Sequence, residues 1–367
     1  MSFLLLFYAI IANLLLRRAP IAAAAKITAV FAFGDSILDS GNNNHLVTAF
    51  RADHRPYGQD LPEKTPTGRF SDGKLTTDFI VSFLGIKEML PPYLDPALND
   101  TGLLTGASFA SAGSGLDDLT ARAVNVLTMG DQLKLFEKGL ERIRRKVGAK
   151  RGRRVVGNGL FVIAVGSNDV ARSYYGLPFM KTFTSSGYHD FLLKNFESFI
   201  LRLYKMGARK FGLSGLPPVG CLPIQMTLNL SPDNFLKRVC VNQQNVDSQA
   251  YNTKLQALIS RLQGRLKGSK IAYFDAFKPM MDMINNPQKY AFCSTKNHDS
   301  IAAMDDLKES CAEASATLPD HQQNHYYSTR MSSSKPRNLQ NLPDRETVFN
   351  DLSKGPVPPS GPSNRHH

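Results

Sequence analysis

Apolar and polar residues follow two different periods along residues 26–292, and each period predicts a different element. Short apolar runs bounded by Gly, Pro or polar residues predict buried β-strands; the runs are 27–33, 106–110, 160–165, 210–214 and 270–274. Apolar residues spaced three and four positions apart predict amphipathic helices; these segments are 75–84, 132–147, 191–206 and 243–266. Strands that alternate with helices are typical of an α/β fold, with a parallel sheet covered on both faces.

The pattern differs at the two ends of the chain. Residues 3–16 form an apolar run of fourteen residues, shorter than the ~20 that span a bilayer, and small residues follow. Residues 1–25 are therefore predicted to be a secretory signal peptide. A retained membrane anchor is the alternative, because Arg17 and Arg18 follow the apolar run instead of preceding it. Residues 26–292 contain no repeat or linker and are read as one domain.

The segment after residue 292 has few large apolar residues, no sustained period and an end rich in Pro, Ser and Asn. It cannot bury enough apolar surface to offset the entropy lost on ordering. Residues 293–367 are therefore predicted to be a largely disordered tail.

The chain of 367 residues carries a net charge of +13, and much of that charge is local. The stretch 138–154 holds nine basic residues against Glu141. It is read either as a solvated helix face running into a basic loop or as an anion-binding patch. No basic motif interleaved with aromatic residues accompanies the charge, so no nucleic-acid partner is expected.

The four cysteines have no C-x-x-C spacing, which favours a disulfide over a zinc or redox site. Cys221 and Cys240 bracket a loop that contains Pro and Asn, and a bridge there would close a surface excursion in an oxidising compartment. The sequence shows no metal-ligand constellation and no phosphate-binding G-x-x-x-x-G-K-[ST]. We expect no metal and no cofactor.

The strongest chemical signal is FAFGDSILDSGNNN, residues 31–44. A strand ends at Phe33, Gly34 permits a tight turn, and Ser36 then stands at the carboxyl end of the strand, where open α/β sheets bind ligands. A serine nucleophile also needs a base and donors for the oxyanion. The alternative is that Asp35 and Ser36 only cap the next helix.

Two further strand ends weaken the capping alternative. GASFASAGSGLDD, residues 106–118, places Gly113 in a turn of small residues whose N–H groups can point at a ligand. AVGSNDV, residues 164–170, places Asn168 after a strand, and its side-chain amide is a donor suited to an oxyanion. All three turns fall on the same edge of the predicted sheet.

These residues closely resemble the plant GDSL esterase/lipase family of the SGNH hydrolase superfamily. The resemblance runs from residue 27 to residue 290 and includes GRFSDGK (68–74), GLPPVGCLP (215–223) and DMINNPQKY (282–290). It implies a flavodoxin-like three-layer α/β/α sandwich, secretion to the cell wall or apoplast, and serine hydrolysis of small acyl esters, with no stable membrane partner after leader cleavage. It also implies that Ser36 is the nucleophile and that its N–H, Gly113 and the Asn168 side chain form the oxyanion hole.

One part of the family pattern is missing. The family's catalytic base and its orienting carboxylate lie in an Asp-x-x-His-Pro motif near the carboxyl terminus, and this sequence contains no Asp-x-x-His. His45 and His54 follow the nucleophile motif and are read as surface-loop residues, so we assign no base. Two functions remain open: a GDSL-type esterase acting through Ser36, or a catalytically impaired member, truncated or aberrantly spliced, that at most binds a ligand.

Overall fold

The computed structural model describes residues 26–176, 183–229 and 239–290. The predicted signal peptide, the predicted tail with Cys293 and Cys311, and the five histidines beyond residue 292 lie outside these ranges. The strands are β1 Val30–Gly34, β2 Gly106–Ser108, β3 Leu160–Ala164, β4 Lys210–Ser214 and β5 Lys270–Phe274. The helices are α1 Thr76–Phe83, α2 Asp100–Leu103, α3 Asp118–Arg122, α4 Met129–Asn158, α5 Ser185–Met206, α6 Pro223–Leu228, α7 Asn242–Arg265 and α8 Phe277–Asn285.

The five strands form one parallel sheet in the order β2-β1-β3-β4-β5. From β1 the chain crosses first to β2 on one side and later to β3 on the other. The direction of winding therefore reverses next to β1, and the carboxyl ends of β1 and β3 flank the crevice where such sheets bind ligands. Four of the predicted strands begin at the observed residue, and all five are confirmed as elements.

Alternating residues of the strands face two separate cores. Phe31 and Phe33 point to one face, where helices α4, α5 and α7 cover them, while Val30 and Ala32 point to the other, where Val81 of α1 packs. Parallel strands buried on both faces are apolar at nearly every position, which is why the sequence shows continuous runs there instead of alternation. The predicted three-layer α/β/α sandwich is confirmed.

Helix α4 extends further than its apolar period indicates. A capping box of Thr128 and Asp131 starts it, and it continues to Asn158 with a sharp kink at Gly148 (φ 78°, ψ 160°). The basic loop predicted after residue 147 is therefore wrong, since 149–158 is helical. The period is hard to read there because this arm is mostly Lys, Arg and Gly, with Gly152 and Val156 as its buried residues.

The predicted Cys221–Cys240 disulfide is present, with the two Cα atoms 4.3 Å apart. It joins the short 3₁₀ turn Val219–Cys221, which follows β4, to the residues that lead into α7. Val241 N–H also donates to the carbonyl of Gly220, so the two ends of this excursion are held by both a covalent bond and a backbone hydrogen bond.

Candidate active site

Ser36 lies just beyond the carboxyl end of β1, on a turn that requires glycine. Gly34 ends the strand with φ 130°, and a Cβ atom there would stand 1.8 Å from the carbonyl oxygen of Ala164. The N–H of Asp35 donates to that oxygen, and the N–H of Leu38 donates back to the Asp35 carbonyl. The chain therefore turns sharply and presents Ser36, which is partly exposed, at the ligand-binding edge of the sheet.

The loop after β2 is held against this turn. Ser111 N–H donates to the carbonyl of Gly34 over 3.0 Å, which places Gly113 two residues further along the same edge. Gly113 has φ 88°, and a Cβ atom there would approach side-chain carbons of Val124 and Phe50 at 3.1 and 3.2 Å. Both the backbone angle and the close neighbours favour glycine at this position.

Asn168 follows β3 and reaches the second loop. Its Nδ2 donates to the carbonyl of Ser114 over 2.9 Å, next to Gly113. A primary amide has two N–H bonds, so one remains after this contact. The structure thus links three neighbouring strand ends: a main-chain hydrogen bond joins the loops of Ser36 and Gly113, and the Asn168 side chain joins its own loop to that of Gly113.

Several donors at this edge have no internal acceptor. Within the described ranges, neither the hydroxyl nor the N–H of Ser36 makes a hydrogen bond, and the N–H of Gly113 makes none. Buried backbone N–H groups are nearly always paired. Together with the second N–H of Asn168, these groups make a set of donors suited to a negatively charged oxygen.

Asp39 ties the first two loops together, a role that the sequence reasoning missed. One carboxylate oxygen accepts from the N–H groups of Gly41 and Asn42, and the other accepts from the N–H of Ala112 over 2.9 Å. Asn43 supports the same junction because its Nδ2 donates to the Ala112 carbonyl. The only signal available for these residues was their place in the same motif as Ser36.

Gln132 and Asp169 fix the remaining main chain, and both were also missed. The Gln132 side chain accepts from the N–H of Gly34 and donates to its carbonyl, each over 2.9 Å. Asp169 accepts from the N–H of Leu116 and from the hydroxyl of Thr120. Gln132 interrupts the apolar face of α4 and Asp169 adjoins Asn168, but neither pattern indicates the distant partner.

Three buried carboxyl groups surround the site. Burial raises the pKa of Asp35 to about 7, and the negative charges of Asp169 and Asp39 act in the same direction. Burial also raises the pKa of Asp39 to about 6 and that of Asp169 to about 6, although the N–H donors to each partly offset the rise. Asp35 differs from the other two because its Oδ2 is buried with no partner among the described residues.

The described histidines do not pair with Ser36. His45 is exposed and lines a cavity of about 410 Å³ whose wall does not include Ser36. His54 is exposed, and its Nδ1 contacts the carbonyl of Arg55. His189 is buried in α5 against Tyr251, and burial lowers its pKa. These positions agree with the reading of His45 and His54 as surface-loop residues.

The described residues form neither a metal-binding group nor a membrane-spanning helix. In ranges 26–176, 183–229 and 239–290, no three His, Cys, Asp or Glu side chains group as a metal site requires. No helix in those ranges combines the length and apolar character needed to cross a bilayer.

Comparison with known proteins adds an independent finding. Residues 30–321 match the profile of the family described as GDSL-like Lipase/Acylhydrolase. GDSL esterase/lipase At2g40250 of Arabidopsis thaliana is 49% identical over 271 residues, which cover 73% of this chain and 75% of the relative. GDSL esterase/lipase At2g31540 of the same plant is 44% identical over 287 residues, covering 76% and 79%. At2g31550, also a GDSL esterase/lipase, is 45% identical over 271 residues, covering 73% and 74%.

Proposed function

Since this chain belongs to the GDSL-like lipase/acylhydrolase family, whose members act on ester bonds, we propose that it hydrolyses acyl esters of lipids or cell-wall components through Ser36. The observation that carries the proposal is the set of uncommitted groups at one edge of the sheet: the hydroxyl of Ser36, its N–H, the N–H of Gly113 and one N–H of Asn168. A nucleophile beside three free donors is the arrangement that acyl transfer requires.

In the proposed reaction the Ser36 oxygen attacks the ester carbonyl carbon and the carbonyl oxygen becomes negatively charged. The N–H groups of Ser36 and Gly113 and the amide of Asn168 donate to that oxygen. The ester C–O bond then breaks, and the alcohol leaves with the proton that the Ser36 hydroxyl gave up. Water attacks the acyl-serine that remains, so that its hydroxyl group completes the acid and its proton restores the Ser36 hydroxyl. Each oxyanion donor of this kind contributes on the order of 10²–10³ in rate.

The unassigned base supports a second candidate function. The sequence has no Asp-x-x-His, and none of His45, His54 and His189 hydrogen-bonds Ser36 in the described structure. A serine hydrolase that loses its base keeps only residual catalysis from the oxyanion donors and from binding. The alternative proposal is a family member that binds an ester or acetylated ligand at this edge without efficient turnover.

The proposed organisation is a signal peptide over 1–25, a hydrolase domain over 26–292 and a disordered tail over 293–367, with secretion to the cell wall or apoplast. The Cys221–Cys240 disulfide supports this proposal, because structural disulfides persist in oxidising compartments. A chain of this organisation acts on small ester substrates and needs neither a nucleic acid nor a cofactor.

The test compares hydrolysis of p-nitrophenyl butyrate by the full chain with that of Ser36→Ala, Asn168→Ala and a matched control, Ser260→Ala, on the exposed face of α7. If the esterase proposal holds, Ser36→Ala lowers the enzymatic rate, measured after subtraction of the uncatalysed rate, by about 10³-fold or more. Asn168→Ala lowers kcat by about 10²-fold, and the control is unchanged. Equal activity in the wild type and Ser36→Ala would contradict it.

A second measurement separates the two candidate functions. A non-hydrolysable ester analogue raises the melting temperature of any protein that binds it in the folded state. If the wild type shows no Ser36-dependent hydrolysis but the analogue raises its melting temperature, the ligand-binding alternative is supported. If neither effect is seen in a folded chain, both proposals are wrong.

A further inference from the structure

The kinked helix α4 gathers a dense cluster of basic side chains that the proposed catalytic site does not use. The stretch 138–154 contributes +8 of the net charge of +13. The exposed basic residues of the first arm are Lys138, Arg144, Arg145 and Lys146. Those of the second arm are Lys150, Arg151, Arg153 and Arg154. These eight residues are called the α4 basic cluster below.

The kink at Gly148 concentrates this charge. A Cβ atom on Gly152 would lie 3.6 Å from the Cα of Arg144, although eight residues separate them in sequence. In a straight helix the same residues would be about 12 Å apart along the axis. The second arm therefore folds back against the first, and the two sets of cations form one compact surface.

No ion pair in the part of the chain that the structure describes neutralises the cluster, although the charge of Asp100 attracts Arg145 and Lys146 at longer range. Arg142, the ninth basic residue, donates to Asp100 and lies over the ring of Tyr93, so it is used in packing. None of the eight cluster residues forms an ion pair or a side-chain hydrogen bond within the described ranges. Like charges three and four residues apart within one arm, such as Lys150 and Arg154, destabilise a helix, so a bound polyanion would relieve their repulsion.

The cluster lies near the amino ends of the strands, whereas Ser36 lies at their carboxyl ends. Gln132 in the first turns of α4 contacts Gly34 at the carboxyl ends of the strands, and Arg145 is thirteen residues later, about 20 Å along the helix axis. The second arm ends beside the start of β4, where Lys210 Nζ donates to the carbonyl of Gly157. A polymer bound there would leave the candidate active site open.

The surface chemistry selects among polyanions. A membrane-surface helix needs apolar residues to insert between lipids, but the apolar residues of α4, such as Ile143 and Val156, are buried in the core. Recognition of single-stranded nucleic acid uses aromatic side chains that stack on bases, and the stretch 138–158 contains none. What remains is a set of cations, suited to a chain of closely spaced carboxylates.

We propose that the α4 basic cluster is a docking surface for an acidic polysaccharide, a polyuronate, which holds the enzyme on the polymer while its carboxyl edge stays accessible. The choice of a polysaccharide as the partner rests on the proposed secretion to the cell wall. The observation of a basic cluster on α4 is independent of that proposal. Docking raises the local concentration of esters carried by the same polymer, and it weakens as salt screens the charges.

The test measures retention of the full chain on immobilised polygalacturonate at increasing NaCl. The cluster variant is R145Q/K146Q/K150Q/R153Q, and the matched control, R55Q/K64Q/K194Q/K278Q, removes an equal number of positive charges from exposed positions elsewhere. The wild type and the control should bind and elute with salt, while the cluster variant binds about tenfold more weakly or worse. Its melting temperature should be unchanged or higher because repulsion is relieved.

Three results would overturn the proposal. The first is a cluster variant that binds as the wild type does, and the second is a control that loses as much affinity, because then only net charge matters. The third is tighter binding of duplex DNA or of phosphatidylserine vesicles than of polygalacturonate at the same salt, which would assign the surface to another partner. Binding is measured without ester turnover, so failure of the esterase proposal leaves this test intact.

Discussion

Replacing Asp35 by Asn tests whether the carboxyl group next to Ser36 holds a proton near neutral pH in the folded protein. Asp35 is 1% exposed; its Oδ1 accepts from the N–H of Ile37 and its Oδ2 has no partner in the described structure. Asn keeps the acceptor for Ile37 and has the same shape, but it cannot ionise. The substitution therefore removes a titration and leaves the turn in place.

The sign of the effect follows from the pKa. Burial raises the pKa of Asp35 from 3.8 to about 7, so between these values the folded state binds a proton that the unfolded state has released. The free energy of unfolding therefore falls as the pH rises through this window. A rise of about three pKa units corresponds to a loss of up to about 4 kcal/mol by neutral pH.

Other buried groups also titrate, and the design separates them. Asp39 and Asp169 have pKa values raised to about 6, so they add to the fall at lower pH. Burial lowers the pKa of His189, which has the opposite effect on stability below its ordinary pKa. All three remain in the variant and largely cancel in the difference between the two proteins. Between about pH 6 and about pH 7 the remaining fall belongs mainly to Asp35.

The assay is urea unfolding followed by circular dichroism across this pH range, for the wild type, Asp35→Asn and the exposed control Glu88→Gln. Asp35→Asn should have a flatter profile, by up to about 1.4 kcal/mol per pH unit, and should be more stable than the wild type at neutral pH. Glu88→Gln should follow the wild type. If Asp35→Asn keeps the wild-type slope between about pH 6 and about pH 7, the buried carboxyl is already ionised and the reasoning is refuted.

Three other substitutions test the architecture around the site. Gly34→Ala should abolish soluble folded protein, because the added Cβ would lie 1.8 Å from the Ala164 carbonyl oxygen. The control Gly264→Ala in α7, where nothing lies within 4 Å of the added Cβ, should raise the melting temperature or leave it unchanged. Gln132→Met should cost about 1–3 kcal/mol in urea unfolding, because it leaves the buried N–H of Gly34 unpaired, while the Gly34 carbonyl keeps the N–H of Ser111 as a donor. Gln249→Met, on the exposed face of α7, should stay within about 0.5 kcal/mol. The double variant Cys221→Ser/Cys240→Ser opens a loop of sequence separation 19 and should lower the free energy of unfolding by about 3 kcal/mol. An unchanged melting temperature in Gln132→Met would contradict the role of Gln132 in supporting Gly34, and one in the double serine variant would contradict a stabilising disulfide.

The sequence predicted the elements well because their signals are local. Apolar runs marked all five strands, and spacing of three and four residues marked the cores of α1, α4, α5 and α7. The short helices α2, α3, α6 and α8 were not predicted, since one or two turns carry too little periodicity to detect. The basic arm of α4 was misread as a loop for the same reason, because Lys, Arg and Gly hide the period around Val156.

The candidate site was predicted in part. Ser36, Gly113 and Asn168 were proposed because each follows a strand within a few residues, and glycine or a small polar residue marks each turn; the structure places them at neighbouring strand ends, while their catalytic roles stay a prediction. The supporting contacts were not found, because their partners are far apart in sequence. Asp39 reaches Ala112 across 73 residues and Gln132 reaches Gly34 across 98. No local pattern indicates such a pairing.

The sequence by itself therefore determined which segments become strands and helices, where the chain must turn at Gly34, and which family the chain belongs to. The tertiary structure decided which turns meet, because that depends on the strand order β2-β1-β3-β4-β5 and on the crossovers that produce it. It also decided that the cations around Gly148 form one surface, since the fold-back of α4 depends on a single positive φ. Backbone preferences act between neighbouring residues, whereas packing joins residues that only the completed fold brings together.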